Sequence, residues 1–287
     1  MKKIIIFGGS GFLGKHIVEE FLKKNYKITV FDSQKLVFSR SKIDFIKGDI
    51  TNYNSVYKAI KNQDYVYNFA AISDIEESLK KPLHASNVNI LGTLNTLEAS
   101  KIHKVKKYIY ASSIYVLSSQ GGIYRVSKKS SELFIQEYGN RYNLNYVILR
   151  FGSVFGEGAD KKNGIAKILY NIKKKRIIKY SGTKKAVRKF IHVTDASKLS
   201  VKVISNKFSK TSVLITGRYN IKLKDLMNYL KKELGIKKKI VYSNRSALGH
   251  YDKNPYSYKN IPSLVINYKP KNDFKTNLNR LIKDLKK

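Results

Sequence analysis

The order of apolar and polar residues at the start of the chain predicts a strand, a helix and a second strand. Residues 4–7 are all apolar, as in a parallel strand that is covered on both faces. Apolar residues then recur at helical spacing over 17–22, and a second strand is predicted at 27–31. This order is typical of the first half of a βαβ unit.

The same alternation continues through the first half of the chain. Further strands are predicted at 43–47, 64–69, 108–112 and 145–150. Helices are predicted at about 51–61, at about 83–101, and from about 124 to 142. Alternating strands and helices predict an α/β protein with a Rossmann-type, doubly wound parallel sheet and helices on both faces.

A glycine loop joins the first strand to the first helix. Gly8, Gly11 and Gly14 follow the spacing G-x-x-G-x-x-G, which suits a tight turn, a close backbone approach to a pyrophosphate, and close packing of helix on sheet. Phe12 and Leu13 open the helix, whose N–H groups and positive dipole end face the phosphates. The loop therefore predicts a dinucleotide site, although a glycine cluster can also be a plain structural turn.

Asp32 ends the second strand at about the distance from the loop, roughly 20 residues, where a ribose-binding carboxylate is expected. A carboxylate accepts hydrogen bonds from the ribose 2′-hydroxyl and repels a 2′-phosphate. Asp32 therefore predicts NAD rather than NADP. Lys35 and Arg40 follow and could weaken this preference, or could form an ordinary solvated basic loop.

The second half of the chain has a looser pattern. It contains a glycine-rich loop at 156–164, a strand at 188–193, a helix from 194, and helices at 223–234 and 273–285. We expect a smaller C-terminal α/β lobe beside the carboxyl ends of the sheet strands, where ligands of such sheets bind. The predicted division is an NAD-binding domain over 1–155, joined by about 188–206, and a substrate-binding lobe over 156–287.

A tyrosine and a lysine suggest what a bound dinucleotide could be used for. Tyr124 and Lys128 share a helix face, and Ser112 and Ser113 end the preceding strand. Lowering a tyrosine pKa from about 10 to about 7 needs about 4 kcal/mol, which Lys128 and an oxidised nicotinamide could supply. Tyr124 is predicted as a general base on a hydroxyl group, with Ser113 as the group that holds the same oxygen and Ser112 as the rival. A chance surface pair is the alternative, because tyrosine is abundant (21 of 287 residues).

The amino-acid composition excludes several kinds of functional site and favours one cellular compartment. The chain has no cysteine, which excludes disulfides, thiolate nucleophiles and cysteine metal sites. The five histidines have no metal-ligand spacing, so no metal is predicted. No apolar run reaches the roughly 20 residues of a membrane helix, and the first strand follows Met1 closely. We therefore expect no membrane segment and no signal peptide, and predict a cytoplasmic protein.

The net charge of +37 is extreme and has two interpretations. It could indicate a polyanion such as nucleic acid, or a bias of composition that affects the whole chain. The basic residues are spread over nearly every helix and loop, which favours the bias and predicts no specific nucleic-acid partner. An anionic substrate would still be attracted, more weakly as salt rises.

Together these motifs resemble the extended short-chain dehydrogenase/reductases of the NAD-dependent epimerase/dehydratase family, over almost the whole chain. The similar segments are the glycine loop 8–14, Asp32, 48–50, 68–71, 89–93, 111–113, Tyr124 with Lys128, Arg150, 154–156 and 188–193. The resemblance implies an enzyme that acts on a nucleotide-diphosphate sugar. It also implies a homodimer formed by the helices near 84–101 and 124–142.

The resemblance also implies site residues beyond those named above. The implied cofactor contacts, besides the glycine loop, Asp32, Tyr124 and Lys128, are Asp49, Ile50, Phe69, Ala70, Ala71, Asn89 and Ser112. The implied substrate contacts are Ser73, Ser113, Ser153 and Arg188, the arginine at a position that often meets the nucleotide diphosphate.

Three features depart from the family pattern. Only ten residues separate Ser113 from Tyr124, which is short for the family and predicts a more open sugar pocket. Ile114 and Tyr115 occupy positions where 4,6-dehydratases of the family carry an acidic pair. Ser153 replaces an asparagine that usually contacts the substrate.

The leading hypothesis is an NAD-dependent nucleotide-sugar epimerase, acting at C4 through a transient 4-keto intermediate. The second is a nucleotide-sugar dehydrogenase or reductase with net oxidation or reduction at one sugar carbon. A dehydratase and a non-catalytic NAD-binding protein come after these, and a nucleic-acid binder is suggested by charge alone.

Overall fold

The computed structural model describes residues 1–35, 43–180, 183–242 and 263–286. Its strands, in chain order, are β1 Lys2–Phe7, β2 Tyr26–Asp32, β3 Ile43–Lys47, β4 Tyr65–Asn68, β5 Lys107–Ser113, β6 Tyr146–Phe151, β7 Ser153–Phe155, β8 Lys179–Tyr180, β9 Val187–Arg188, β10 Phe190–His192, β11 Thr211–Ile215, β12 Ile221–Lys222, β13 Val241–Tyr242 and β14 Leu264–Val265. Eight of these strands form one parallel sheet, in the order β14-β11-β6-β5-β4-β1-β2-β3. The predicted doubly wound parallel sheet is confirmed.

The helices alternate with the strands of this sheet. They are α1 Phe12–Leu22, α2 Tyr53–Ile60, α3 Ile75–Lys80, α4 Pro82–Ser86, α5 Gly92–Ile102, α6 Gly122–Arg141, α7 Gly164–Lys175, α8 Val193–Lys202, α9 Leu223–Glu233 and α10 Phe274–Lys286. A π-helical segment, Asn87–Leu91, joins α4 to α5. The long helix predicted at 83–101 is therefore a continuous helical stretch with one wide turn in its middle.

Strand β1 shows why its sequence is apolar without alternation. Ile4 and Ile6 pack on one face of the sheet, in a core that includes Phe21 of α1. Ile5 and Phe7 pack on the other face, in a separate core that includes α2 and α5. Each fully buried side chain of this kind contributes about 1.5–3 kcal/mol, so a polar residue on either face of β1 would be costly.

A third core lies in the second half of the chain. It joins α7, α9 and α10 through residues such as Leu169, Leu226 and Leu278. Short strand pairs surround it: β7 with β10, β9 with β12, and β8 with β13. Helices α7, α9 and α10 belong to the lobe predicted over 156–287, whereas β7 lies before residue 156 and β10 lies in the segment 188–206 assigned to the NAD-binding domain. The proposed boundaries of the two domains remain a prediction.

The sequence analysis missed strand β11. Thr211–Ile215 pairs in parallel with β6 and extends the main sheet, so a segment beyond residue 206 belongs to that sheet. A run of five residues gives periodicity too little length to separate a strand from other structures. The strand predicted at 188–193 is in fact two strands, β9 and β10, which pair with different partners.

Candidate active site

The glycine loop is built by close backbone packing. Gly8 has φ +76°, and a Cβ added there would lie 2.6 Å from the backbone nitrogen of Ala70. A Cβ at Gly14 would lie only 2.1 Å from the carbonyl oxygen of Gly8. A Cβ at Gly11 would meet that same oxygen at 3.2 Å. Gly8 and Gly14 are therefore required by the fold, and the loop opens the first turn of α1 without a side-chain cap.

Asp32 is held beside this loop by two backbone groups. Its Oδ2 accepts a hydrogen bond from the Ser10 N–H at 2.9 Å, and its Oδ1 accepts from the Gln34 N–H at 2.9 Å. The carboxylate is therefore fixed against the phosphate loop, with lone pairs left for ribose hydroxyls. Lys35 is exposed, and Arg40 lies outside the described residues.

The loop after β4 forms the next part of the cradle. The backbone of Phe69 and Ala70 packs against Gly8, and Ala71 is half-buried beside them. Asn89 Oδ1 accepts a hydrogen bond from the Ile72 N–H at 2.8 Å, while its Nδ2 donates to the Ile72 carbonyl at 3.1 Å and to Ser127 Oγ at 2.9 Å. Both amide hydrogens of Asn89 are thus used within the protein, to tie this loop to α6.

The segment after β3 lies at the same sheet edge. Asp49 Oδ1 accepts hydrogen bonds from the N–H and hydroxyl groups of Thr51, at 2.9 and 2.8 Å. Ile50 is buried against Gly92, and its carbonyl accepts a hydrogen bond from Asn95 Nδ2 at 3.0 Å. The implied cofactor contacts of Asp49 and Ile50 therefore come from a turn that is held by hydrogen bonds.

The predicted catalytic residues meet at the carboxyl end of β5. The Ser113 hydroxyl lies beside the Tyr124 phenol, and Ser113 Oγ accepts a hydrogen bond from the Tyr115 N–H at 3.3 Å. The Tyr115 ring meets the Tyr124 ring edge to face, with 6.3 Å between centroids. Of the two serines, Ser113 is thus the one that contacts Tyr124.

Two glycines allow the short connection between Ser113 and Tyr124. After a 3-10 turn at Ile114–Leu117, Gly121 and Gly122 adopt φ values of +112° and +51° at the start of α6. A Cβ would lie 2.9 Å from Tyr115 Cδ1 at Gly121, and 2.9 Å from Leu79 Cδ2 at Gly122. The turn therefore depends on the absence of side chains, and it lets α3 pack against the start of α6.

The electrostatics of the pair differ from the expectation. Burial raises the pKa of Tyr124, and the neighbouring Ser113 hydroxyl opposes this rise only in part. Burial also lowers the pKa of Lys128 to about 7, against a smaller opposite effect of the Glu132 charge. The protein alone thus moves the pKa of the phenol upward. A base of pKa near 7 would need further positive charge at the site, such as an oxidised nicotinamide.

Lys128 has two described contacts. Its Nζ donates a hydrogen bond to the Ala111 carbonyl at 2.8 Å and lies 4.7 Å from the centroid of the Tyr110 ring. Only 2% of the residue is exposed. The ammonium is therefore anchored to β5 from α6.

A buried ion pair behind this lysine was missed by the sequence analysis. Glu132 accepts hydrogen bonds from Arg150 Nε and Nη2, at 3.0 and 2.7 Å, and from Ser112 Oγ at 2.6 Å. Arg150 Nη1 also donates to Ser263 Oγ at 2.6 Å. The available signal was spacing, because Glu132 follows Lys128 by one helical turn on the same face. The Ser112 hydroxyl is directed at Glu132, so its predicted contact with a cofactor has no support from this geometry.

The predicted substrate residues lie on separate elements: Ser113 ends β5, Ser153 begins β7, Arg188 ends β9, and Ser73 precedes α3. Ser73 is exposed just before α3, and the Ser153 N–H donates to the Lys189 carbonyl at 3.3 Å. Arg188 is buried, and its Nη1 donates to the Val187 carbonyl at 2.9 Å. The Lys189 contact thus places Ser153 beside the segment that carries Arg188.

The residues that the structure describes contain neither a metal-ligand cluster nor a membrane-spanning helix. Within 1–35, 43–180, 183–242 and 263–286, three or more metal-ligating side chains do not cluster anywhere. Across the same ranges, every helix is too short or too polar to span a bilayer.

The chain fits NAD on the geometry just described. The glycine cradle leaves room for phosphates, the uncapped start of α1 offers N–H groups, and Asp32 offers a carboxylate to a ribose. The nicotinamide would bring oxidation and reduction to the edge where Tyr124 lies.

Comparison with known proteins leads to the same family. The family model of NAD dependent epimerases and dehydratases matches residues 4–221. A Methanocaldococcus jannaschii protein provisionally named UDP-glucose 4-epimerase is 26% identical over 305 residues, covering 99% of this chain and 98% of that protein.

Solved structures share the fold. The Thermus thermophilus UDP-glucose 4-epimerase in complex with NAD superposes with a TM-score of 0.83 at 20% identity, covering 99% of both chains. DesIV of Streptomyces venezuelae, a dTDP-glucose 4,6-dehydratase with NAD bound, also gives 0.83 at 20% identity, covering 98% of this chain and 96% of that one. At such identities the likeness shows the fold, which serves both reactions.

Proposed function

Because the chain belongs to the NAD-dependent epimerase/dehydratase family, we propose that it is a nucleotide-sugar epimerase that inverts the sugar at C4. The observation that carries this proposal is the placement of the Ser113 hydroxyl beside the Tyr124 phenol, with Lys128 one helical turn further along α6, at the same sheet edge as the glycine cradle. The name of the Methanocaldococcus jannaschii relative supports the same activity. Ile114 and Tyr115 offer no carboxylate for water elimination, which disfavours a dehydratase.

The proposed chemistry centres on one sugar oxygen. When bound, NAD would supply the acceptor and donor of hydride. Tyr124 takes the proton from the C4 hydroxyl and later returns it, and Ser113 donates a hydrogen bond to the same oxygen. Lys128 favours the ionised phenol through its positive charge. Inversion requires the 4-keto sugar to turn over within the pocket before hydride returns.

We propose the following binding residues from the geometry and the resemblance together. Gly8, Gly11, Phe12, Leu13 and Gly14 bind the pyrophosphate through backbone groups, and Asp32 binds the adenosine ribose. The other proposed cofactor contacts are Asp49, Ile50, Phe69, Ala70, Ala71 and Asn89. Ser73, Ser153 and Arg188 are proposed to bind the nucleotide sugar, the arginine through its diphosphate.

We also propose that two copies associate through α4, α5 and α6. Large apolar side chains are exposed on these helices, among them Leu83 (81% exposed), Leu133 (54%) and Val126 (47%). The helices pack side by side, so their exposed apolar residues lie on neighbouring elements. Apolar surface of this kind marks an interaction site in soluble proteins. The cytoplasm remains the predicted compartment.

The dimer has a direct test. Leu133→Asp should convert a dimer into monomer in light scattering after gel filtration, because a buried charge at the interface is costly. Tyr219→Asp is the matched control, since Tyr219 is 72% exposed on a loop far from these helices in sequence. A monomeric wild-type protein, or a dimer that tolerates the Leu133 change, would reject the interface.

The activity is tested by denaturing the purified protein, identifying any released nucleotide by mass, and assaying a panel of nucleotide sugars with and without added NAD. Conversion at C4 without net NADH supports the epimerase. Steady NADH production would assign the second hypothesis, a nucleotide-sugar dehydrogenase. No turnover of any nucleotide sugar, with NAD bound, would reject both.

A further inference from the structure

The ammonium group of Lys128 is buried, and among the described residues no carboxylate contacts it. Among the ion pairs that the described ranges form, none includes this residue. The Ala111 carbonyl satisfies one of its three N–H bonds at 2.8 Å. A buried cation of this kind tends to lose its proton, because burial penalises the charged form. The charge that the proposed function requires must therefore be supported by other groups.

The first such group is the ring of Tyr110. Its centroid lies 4.7 Å from Lys128 Nζ, within the range of a cation–π interaction. Tyr110 is fully buried on β5, directly before Ala111, in the core that also contains Ile148. Because the ring is fixed in this core, its negative face is held toward the ammonium.

The second group is the carboxylate of Glu132. Its exposed fraction is 0%, and it lies one helical turn beyond Lys128 on α6. Arg150 and Ser112 together donate three hydrogen bonds to it, which fix its position. The Glu132 charge favours the protonated form of Lys128.

We propose that Tyr110 and Glu132 are positioning residues that keep the Lys128 ammonium charged on the helix face that carries Tyr124. The proposal rests on the proposed function for its catalytic meaning, and on the contacts above for its physical basis. The titratable and charged groups around Lys128 are Glu132 and Tyr124 on its own helix, Tyr110 on β5, and Arg150 on β6 through its bond to Glu132. The π-helical segment contributes the neutral amide of Asn89, bound to Ser127 of α6.

The Tyr110 contact is tested with two variants that differ only in the ring. Tyr110→Phe and Tyr110→Leu both remove the hydroxyl group, but only leucine removes the aromatic face. Loss of a desolvated cation–π contact should lower the pKa of Lys128 by about one unit, a tenfold change in its protonation equilibrium. The phenylalanine variant should keep the pKa of the native protein within about 0.3 units.

The pKa itself can be measured without turnover. The Lys128 signal is followed by NMR in protein labelled with ¹³C at lysine Cε, and it is assigned as the signal missing from Lys128→Met. In active protein, the alkaline limb of kcat/KM should move to lower pH by the same amount in Tyr110→Leu, because turnover is lost as Lys128 deprotonates. Thermal unfolding shows that each variant is folded. An unchanged pKa in folded Tyr110→Leu would overturn the role of the ring.

The Glu132 contribution has its own pair of variants. Glu132→Gln should lower the pKa of Lys128, whereas Ser112→Ala removes one hydrogen bond, keeps the carboxylate charge, and should leave that pKa within about 0.3 units. Since Glu132→Gln leaves the buried Arg150 unpaired and could unfold, the neutral double variant Glu132→Gln/Arg150→Gln is made in parallel. A native pKa in folded variants that lack the carboxylate would overturn its role.

These outcomes separate the two proposals. A Lys128 signal that shifts as described, in a protein that converts no nucleotide sugar, would reject the proposed function and leave the inference intact. Full C4 epimerisation with an unshifted Lys128 pKa in every variant would support the proposed function and overturn the inference about Tyr110 and Glu132.

Discussion

The two sides of the site differ in which groups form them, backbone on one side and buried side chains on the other. The cofactor side, formed by β1, α1 and β2, is shaped by backbone: Gly8, Gly14 and the N–H of Ser10 define it. The reaction side, formed by β5, α6 and β6, is shaped by buried side chains, among them Lys128 and Glu132. The first side is therefore sensitive to any added atom, and the second to any change of charge.

This contrast follows from what each side must hold. A pyrophosphate is bound by convergent N–H groups, which reach it only where no side chain intervenes. A proton transfer needs groups whose pKa values are shifted, and such shifts require burial and nearby charge. Each of the following substitutions changes one side of the site, and its control substitution leaves both sides unchanged.

The largest effect is expected on the reaction side. Tyr124→Phe removes the phenolic proton while keeping the ring, so turnover should fall by about 100-fold or more, the usual weight of positioned proton transfer. Bound NAD and the unfolding temperature should stay close to native. Tyr142→Phe, which removes an exposed hydroxyl just beyond the same helix, is the control and should turn over normally. Near-native turnover by the Tyr124 variant would remove that residue from the mechanism.

The cofactor side should respond to a single methyl group. Gly14→Ala places a Cβ 2.1 Å from the Gly8 carbonyl oxygen, so backbone must move. We expect a loss of about 1–3 kcal/mol in the free energy of unfolding and weaker NAD retention. A Cβ at Gly164 meets no atom within 4 Å, so Gly164→Ala should change stability by less than about 1 kcal/mol. Chemical denaturation of both variants checks this, and equal stabilities would contradict the packing argument.

A change of charge on the cofactor side should alter which cofactor binds. Asp32→Asn removes the repulsion of a 2′-phosphate, so the NADP-to-NAD affinity ratio should rise by about tenfold, or about 1.4 kcal/mol. Asp44→Asn removes the same charge from an exposed residue on β3 and should leave the ratio unchanged. Calorimetric titration of both cofactors is the measurement. Equal NADP-to-NAD affinity ratios in the two variants would reject the assignment of Asp32 to the ribose.

The smallest effect concerns stability and pH on the reaction side. The pKa of Lys128 is about 7 in the folded protein and 10.5 without burial, so between these values the unfolded chain binds more protons. Lys128 therefore opposes folding most below pH 7, and its penalty fades as pH rises from about 7 toward 10. Between pH 7 and 8 native stability should gain about 1 kcal/mol relative to Lys128→Met. Urea unfolding of both proteins tests the sign, and parallel pH curves would show that Lys128 is not perturbed.

Much of the fold could be predicted because local patterns report local geometry. The apolar run at 4–7 indicated a strand that is covered on both faces, and both cores contain it. The glycine spacing indicated a tight turn without side chains, and Gly14 has no space for a Cβ atom. Strand β11 could not be found in this way, because its place beside β6 depends on pairing between residues more than 60 positions apart.

The amino-acid sequence by itself determined the parallel sheet, the glycine loop, Asp32 and the Ser113–Tyr124–Lys128 set, because each is encoded in a short span with a fixed spacing. Only the tertiary structure decided that the Ser112 hydroxyl meets Glu132, in which direction the Tyr124 pKa moves, and that Lys128 lies against the Tyr110 ring. The physical reason is that burial and charge at one atom depend on every element packed around it. Spacing along the chain records which residues share a face, whereas packing decides what that face meets.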